Sequence, residues 1–252
     1  MPDLILCLGG TAEARALAAR VPVLTSLAGR VRQPSLPPGE VRVGGFGGVP
    51  GLVAWLRRRR PIAVVDATHP FAEQMSRHAV LACAEVGVPL LRLQRPGWVP
   101  GPGDRWTRVP TLEAAAAAVG ERCALLTTGR QAVTPFLGLR HAVLRAIERP
   151  ADVPASWTVV LGRPPWSLED ELAQIAEHGV EVVVTKDSGG PAAPKLEAAR
   201  LRGLEVIVVD RPPVLASTVV TSVDDAVAWL LDVLGSTSRS GSEKMTQGGQ
   251  AG

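Results

Sequence analysis

Asp66, Thr68 and His69 fall within four residues of one another in the stretch DATHPFAEQ (66–74), directly after the apolar run PIAVV (61–65). A carboxylate, a hydroxyl and an imidazole this close can orient a ligand or move a proton, and His is the side chain whose ordinary titration lies nearest neutrality. The same residues can also do no more than start a helix. Thr68 or His69 is then its cap and Pro70 is tolerated in its first turn. The position of the cluster, at the end of an apolar strand, favours a ligand site in which Ala67 and Thr68 line a cofactor and His69 faces the reacting ring.

Two further stretches of the first half have the composition of a nucleotide site. In CLGGTAEAR (7–15), Gly9 and Gly10 let backbone approach a phosphate, and Thr11 can cap the following helix and offer its hydroxyl. Ala14 stands where a full dinucleotide fingerprint has its third glycine, so an ordinary tight turn is the competing reading. At the end of the second strand, TSLAGR offers Ser26 and Arg30 and no acidic residue. A hydroxyl with a guanidinium suits a 2′-phosphate, so NADPH is expected over NADH; Arg30 as a solvated loop residue is the alternative. VGGFGG (43–48) contributes Gly45, Phe46 and Gly47. Phe46 packs on an adenine or a substrate ring, or the segment is a flexible turn.

The second half repeats the theme with cations. TTGR (127–130), GRPPW (162–166) and TKDSGG (185–190) each follow an apolar run and combine hydroxyls or glycines with a positive charge. Thr128, Gly129, Arg130, Arg163, Lys186, Ser188 and Gly189 are therefore expected to bind a polyanionic substrate. Arg145 and Arg149 are ambiguous between that wall and the surface.

These groups need a scaffold. Short apolar runs at 4–8, 21–26, 40–45, 61–66 and 88–93 read as strands of a parallel sheet, and helical spacing fills 11–20, 49–60 and 70–87 between them. The expected strand order is 3-2-1-4-5, which puts DATHP at the point where the order reverses. After a stretch rich in Pro and Gly the alternation resumes to residue 234. The expected architecture is α/β: two Rossmann-like parallel-sheet domains with a cleft between them. Residues 1–95 form a cofactor domain, 96–105 a linker, 106–234 a substrate domain and 235–252 a disordered polar tail.

Bulk properties narrow the function. The chain has 252 residues, 46% of them hydrophobic, and 27 basic against 24 acidic residues. That excess is too small for nucleic acid and fits a small anionic ligand. No run reaches the about 18 apolar residues of a membrane span. The start reads as a first strand rather than a signal peptide. Three scattered cysteines, Cys7, Cys83 and Cys123, point to reduced thiols in a cytoplasmic protein without a metal site. The absence of any Tyr excludes a Tyr-Lys dehydrogenase mechanism.

Taken in order, LGGTAEAR, SLAGR, VRVGGFGG, DATHPFA, LLRLQRPGW, LLTTGR and VTKDSGG…KLEAAR followed by RPP resemble the precorrin-6A reductase family of cobalamin biosynthesis, which includes cobalt-precorrin-6A reductases. One departure is Asp187, where the family more often has Asn. The resemblance implies NADPH-dependent reduction of one double bond of the precorrin macrocycle, between ring carbons C18 and C19; such a hydride transfer needs no metal, and a monomer is expected. It leaves open whether the substrate carries cobalt. A proton must join the neighbouring carbon, and His69, then Asp187 or Lys186, are the candidate donors, with solvent a further source. The competing functions are another NADP-dependent Rossmann reductase or epimerase, or a non-catalytic NADP sensor.

Overall fold

The computed structural model describes residues 4–29, 36–129, 132–163, 165–190, 193–215 and 218–246, with side chains to residue 236. The chain divides into two units: Met1–Pro96 with Pro213–Gly252, and Gly97–Pro212.

The first unit is a six-stranded sheet in the order β12-β5-β4-β1-β2-β3. Its strands are β1 (Ile5–Leu8), β2 (Leu24–Leu27), β3 (Val41–Val43), β4 (Ala63–Asp66), β5 (Leu90–Leu93) and β12 (Val219–Val220), all paired in parallel. Central β1 and β4 are buried along their whole length, the mark of a parallel strand covered on both faces. Alternation then separates two cores. Ile5, Cys7 and Val65 point to the side packed by α1 (Ala12–Ala18) and α7 (Val223–Thr246), while Leu6, Leu8 and Val64 point to that of α2 (Gly48–Arg59) and α3 (Glu73–Val86). The four arginines that end the second helix pattern are spent on its last turn, and Arg60 takes the left-handed conformation with φ 48°.

The second unit repeats the design with the order β6-β11-β10-β7-β8-β9. The strands are β6 (Arg105–Val109), β7 (Ala124–Leu126), β8 (Ala142–Ala146), β9 (Thr158–Leu161), β10 (Val182–Lys186) and β11 (Glu205–Val209). The helices are α4 (Leu112–Val119), α5 (Leu168–Glu177) and α6 (Pro194–Leu201). Ser167 caps α5 in a reciprocal capping box with Asp170.

Two differences from the sequence expectation concern the chain ends of the units. β6 starts at Arg105, the last residue of the expected linker, where no strand was expected; its alternating RWTRV is largely exposed because it is an edge strand. The closing helix, expected in the second domain, belongs to the first unit. β12 pairs β5, with Arg92 N–H donating to Thr218 O at 2.9 Å and Gln94 N–H to Val220 O at 2.9 Å, and Ala226 and Leu230 of α7 are fully buried against β1, β4 and β5. An ion pair between Arg20 and Asp224 ties α7 to the segment after α1. The helix also continues to Thr246, through most of the tail expected to be disordered; residues 247–252 lie outside the described residues.

Candidate active site

In each sheet the strand order reverses at one place, between β1 and β4 in the first and between β7 and β10 in the second. Ligands of open α/β sheets bind outside the carboxyl ends of the strands at such a point.

In the first unit the β1 and β4 ends are stitched together. Ala67 N–H donates to Leu8 O at 2.9 Å. The Thr11 hydroxyl donates to Ala67 O at 2.7 Å and accepts from Ala14 N–H at 3.2 Å. Thr11 therefore caps α1 as expected, and its hydroxyl is committed to protein partners rather than offered to a ligand. The two glycines beside it differ. A Cβ on Gly9 would stand 2.6 Å from Thr25 Cγ2, so Gly9 serves close strand packing, whereas Gly10, at φ 115°, has open space around it.

Asp66 is not a solvent-facing acid. Its Oδ1 lies 2.7 Å from Arg92 Nη1, both side chains about 3% exposed, and it accepts from Thr68 N–H at 3.1 Å and from the Thr68 hydroxyl at 2.7 Å. Arg92 Nη1 also donates to Thr68 Oγ1 at 3.0 Å, and Arg92 Nε and Nη2 both reach Gln94 Oε1. The Thr68 hydroxyl is thus held inside a buried network and does not cap α3. That helix starts at Glu73 with Ala72 as its cap residue. Burial first, and the Asp66 charge second, push the Cys7 and Cys83 thiols up to about 12. They are inert core groups. Among the described residues no cluster of His, Cys, Asp and Glu is placed to hold a metal ion.

His69 follows this network, half-buried. Its Nδ1 accepts from Phe71 N–H at 3.2 Å, which leaves Nε2 as the nitrogen that carries the proton of the neutral ring. Pro70 and Phe71 form the turn that fixes it, with Ala72 N–H donating to His69 O at 2.8 Å.

At the β2 and β3 ends, buried Ser26 accepts from Arg42 Nη1 at 2.8 Å. The same guanidinium donates to Gly44 O at 2.9 Å and Gly45 O at 3.1 Å, and it lies 3.9 Å above the Phe46 ring centre. Phe46 meets Trp55 edge-on at 5.6 Å, and Gly47, left-handed at φ 84°, leads into α2. One face of Phe46 is therefore covered by a cation. Arg42 has no carboxylate partner among the described residues, and burial lowers its basicity. Arg30 lies outside the described residues.

In the second unit, Thr128 at the β7 end is buried and its hydroxyl has no hydrogen-bond partner among the described residues. Gly129 follows at φ 83°, and Arg130 lies outside the described residues. At the β10 end Lys186 is half-buried, with its basicity lowered by burial. Ser188 is half-buried and Gly189 turns at φ 64°. Arg163 is exposed. Asp187 is a buried hub, accepting from Trp98 N–H at 3.0 Å and Arg108 Nη2 at 2.9 Å, with Arg211 Nη2 at 3.7 Å. Each of these contacts comes from a donor. Two guanidinium groups account for a charged Asp at this position, and a Cβ on Gly97 would stand 2.7 Å from its Oδ2, so Gly97 lets the carboxylate pack closely.

A family description matches residues 4–231: precorrin-6x reductase CbiJ/CobK. The chain belongs to this family. It is a family of oxidoreductases. A precorrin-6A reductase of Rhodococcus erythropolis is 45% identical over 240 residues, covering 90% of this chain and 96% of the relative. One of Mycobacterium tuberculosis is 43% identical over 237 residues, with the same shares covered. A solved structure of CobK precorrin-6A reductase superposes with a TM-score of 0.85 at 39% identity, covering 92% of this chain and 97% of that one. No helix among the described residues is long and apolar enough to cross a membrane.

For an oxidoreductase of this family, the sequence missed Arg92, Arg42 and the arginines around Asp187. Arg92 carried a usable signal, since a charge inside the apolar strand LLRL needs a buried partner. Arg42 carried none, because alternation in VRV sends it to either face.

Proposed function

We propose that this chain reduces precorrin-6A to precorrin-6B with NADPH, saturating the bond between ring carbons C18 and C19 in cobalamin biosynthesis. The observation that carries this reading is the family match over residues 4–231. The relatives named precorrin-6A reductase are 40–45% identical, against 30–32% for those named cobalt-precorrin-6A reductase, which favours the metal-free macrocycle as substrate.

The first unit, residues 1–96 with 213 onward, takes the cofactor. Its residues fit such a group: Gly10 leaves backbone open beside the β1 turn, and Arg42 with Ser26 offers a guanidinium without a carboxylate partner for the 2′-phosphate. Gly45, Phe46 and Gly47 border the adenosine end through Arg42. Ala67 and Thr68 hold the β4 end rigid for the nicotinamide end rather than bonding it through side chains. NADPH supplies the hydride. His69 presents Nε2–H as a hydrogen-bond donor that orients the ring.

The second unit, residues 97–212, takes the substrate. Among the described residues Thr128 has an unpartnered hydroxyl, Gly129, Ser188 and Gly189 form the turning loops at the strand ends, and Lys186 supplies a cation for the carboxylates. Lys186 is also the proton donor for the neighbouring carbon. Its ammonium releases the proton as the hydride arrives, so the substrate gains two hydrogens and the lysine is reprotonated from water. The enzyme works as a monomer in the cytoplasm, where its free thiols stay reduced.

Mixing the purified protein with NADPH and precorrin-6A tests the reading. Equimolar loss of nicotinamide absorbance with formation of precorrin-6B is expected; no oxidation by precorrin-6A overturns it.

A further inference from the structure

The second unit holds a polar cluster apart from the loops assigned above. Arg145, near the end of β8, pairs with Glu171 of α5, Nη1 to Oε1 2.7 Å apart, with side chains 8% and 3% exposed. The Arg145 guanidinium lies 5.2 Å from the Trp166 ring centre. Lys195, in the first turn of α6, places Nζ 5.1 Å from the ring centre of Trp98. Trp166 is itself fixed, since a Cβ on Gly162 would come within 2.4 Å of its ring. Lys195 lies on α6, which packs against α5, and the charges of Arg145 and Glu171 both act on its amine, so two cations share the neighbourhood of one carboxylate.

Orphaned atoms mark the same place. Glu171 Oε2 and Gln174 Oε1, three residues apart on one face of α5, are buried without a hydrogen-bond partner, and Arg145 Nη1 makes its ion pair without a directed hydrogen bond. Buried polar atoms are rarely left so. Lys195 is half-buried, whereas Arg145, Glu171 and Gln174 are almost closed off from solvent.

We propose that Lys195 and Arg145, walled by Trp98 and Trp166, form a subsite that takes one carboxylate arm of the tetrapyrrole. This rests on the function proposed above and adds a specific anchor to it. An ammonium has three donors, so a protonated Lys195 can serve both an incoming carboxylate and the orphaned acceptors of the cluster. The charge state of the free protein fits this role. Burial, then Arg145, push the Lys195 amine down to about 8, with Glu171 opposing. A bound carboxylate favours the charged form, so binding weakens as pH rises through about 8 in the free enzyme.

The test compares the wild type with Lys195→Gln and Lys195→Arg. Lys195→Gln raises KM for precorrin-6A on the order of tenfold, the worth of one charge-assisted hydrogen bond, without weakening NADPH binding. Lys195→Arg recovers most of the loss and removes the decline of kcat/KM near pH 8. Independently of turnover, acylation of Lys195 by acetic anhydride is slowed by precorrin-6A and not by NADPH. Protection without turnover keeps the subsite and loses the proposed reaction. Turnover with KM unchanged in a folded Lys195→Gln variant, and no protection, overturns the subsite alone; loss of both turnover and protection overturns both.

Discussion

Asp66 and Arg92 stand opposite each other in register on β4 and β5, joined Oδ1 to Nη1 at 2.7 Å and almost wholly buried. Replacing one partner leaves a buried charge uncompensated, so Arg92→Ala destabilises the protein by about 3–5 kcal/mol. Urea denaturation measures it. The double variant Asp66→Leu with Arg92→Leu loses less than the sum of the two single changes, because neither charge is then stranded.

Arg42 bonds Ser26 and lies over Phe46, with no carboxylate partner among the described residues. Arg42→Ala weakens NADPH binding about 10- to 100-fold, corresponding to a lost charge-assisted hydrogen bond or two, and leaves NADH affinity nearly unchanged. Titration of both cofactors by fluorescence decides it, with Arg30→Ala as the comparison. If only the Arg30 change alters the preference, the 2′-phosphate is read there.

Phe71 N–H donates to His69 Nδ1, so the role proposed for His69 runs through Nε2–H. A glutamine amide can imitate that donor. Turnover is expected to fall about tenfold in His69→Ala and to recover to within a few-fold in His69→Gln, a smaller effect than the roughly 10²–10⁴-fold of a general acid. Equal and larger losses in both variants make His69 the acid instead.

Lys186 must be protonated to donate, and burial holds its amine below the ordinary lysine value. Turnover at saturating substrate therefore falls as pH rises through that lowered value, before free lysine titrates. Lys186→Ala flattens this limb and lowers turnover about 10²-fold, measured by stopped-flow oxidation of NADPH.

Leu230 of α7 is about 1% exposed within the core shared with Ile5, Cys7 and Val65. Leu230→Ala costs about 2–5 kcal/mol, read from the shift of the urea midpoint. A mutation near the end of the sequence thereby destabilises a sheet built mainly from its beginning.

Most of the scaffold was legible because its strands are buried on both faces. Runs such as LILCL and AVVD have no other stable environment, and glycine turns punctuate them. What escaped was decided by contacts distant in sequence. RWTRV forms an edge strand only because β11 is beside it, and Val219–Val220 is too short to announce itself without β5. At the candidate site, residue types did not reveal the state of each group. Thr11, Thr68 and Asp187 all have the chemistry of ligand contacts, and all three are consumed by partners 56, 24 and 79 residues away: Ala67, Arg92 and Arg108.

The return of the chain at Pro213 fixes an order of assembly. The second unit is one uninterrupted segment and has all its strands once residue 209 is made. The first sheet lacks an edge strand and the second of the two helices over one of its faces until β12 and α7 emerge, so its closure is a long-range event that loop-closure entropy makes slow. During synthesis the inserted unit is complete first. The sheet proposed to hold the cofactor stays unfinished, with α1 alone packed over Ile5, Cys7 and Val65, until α7 arrives.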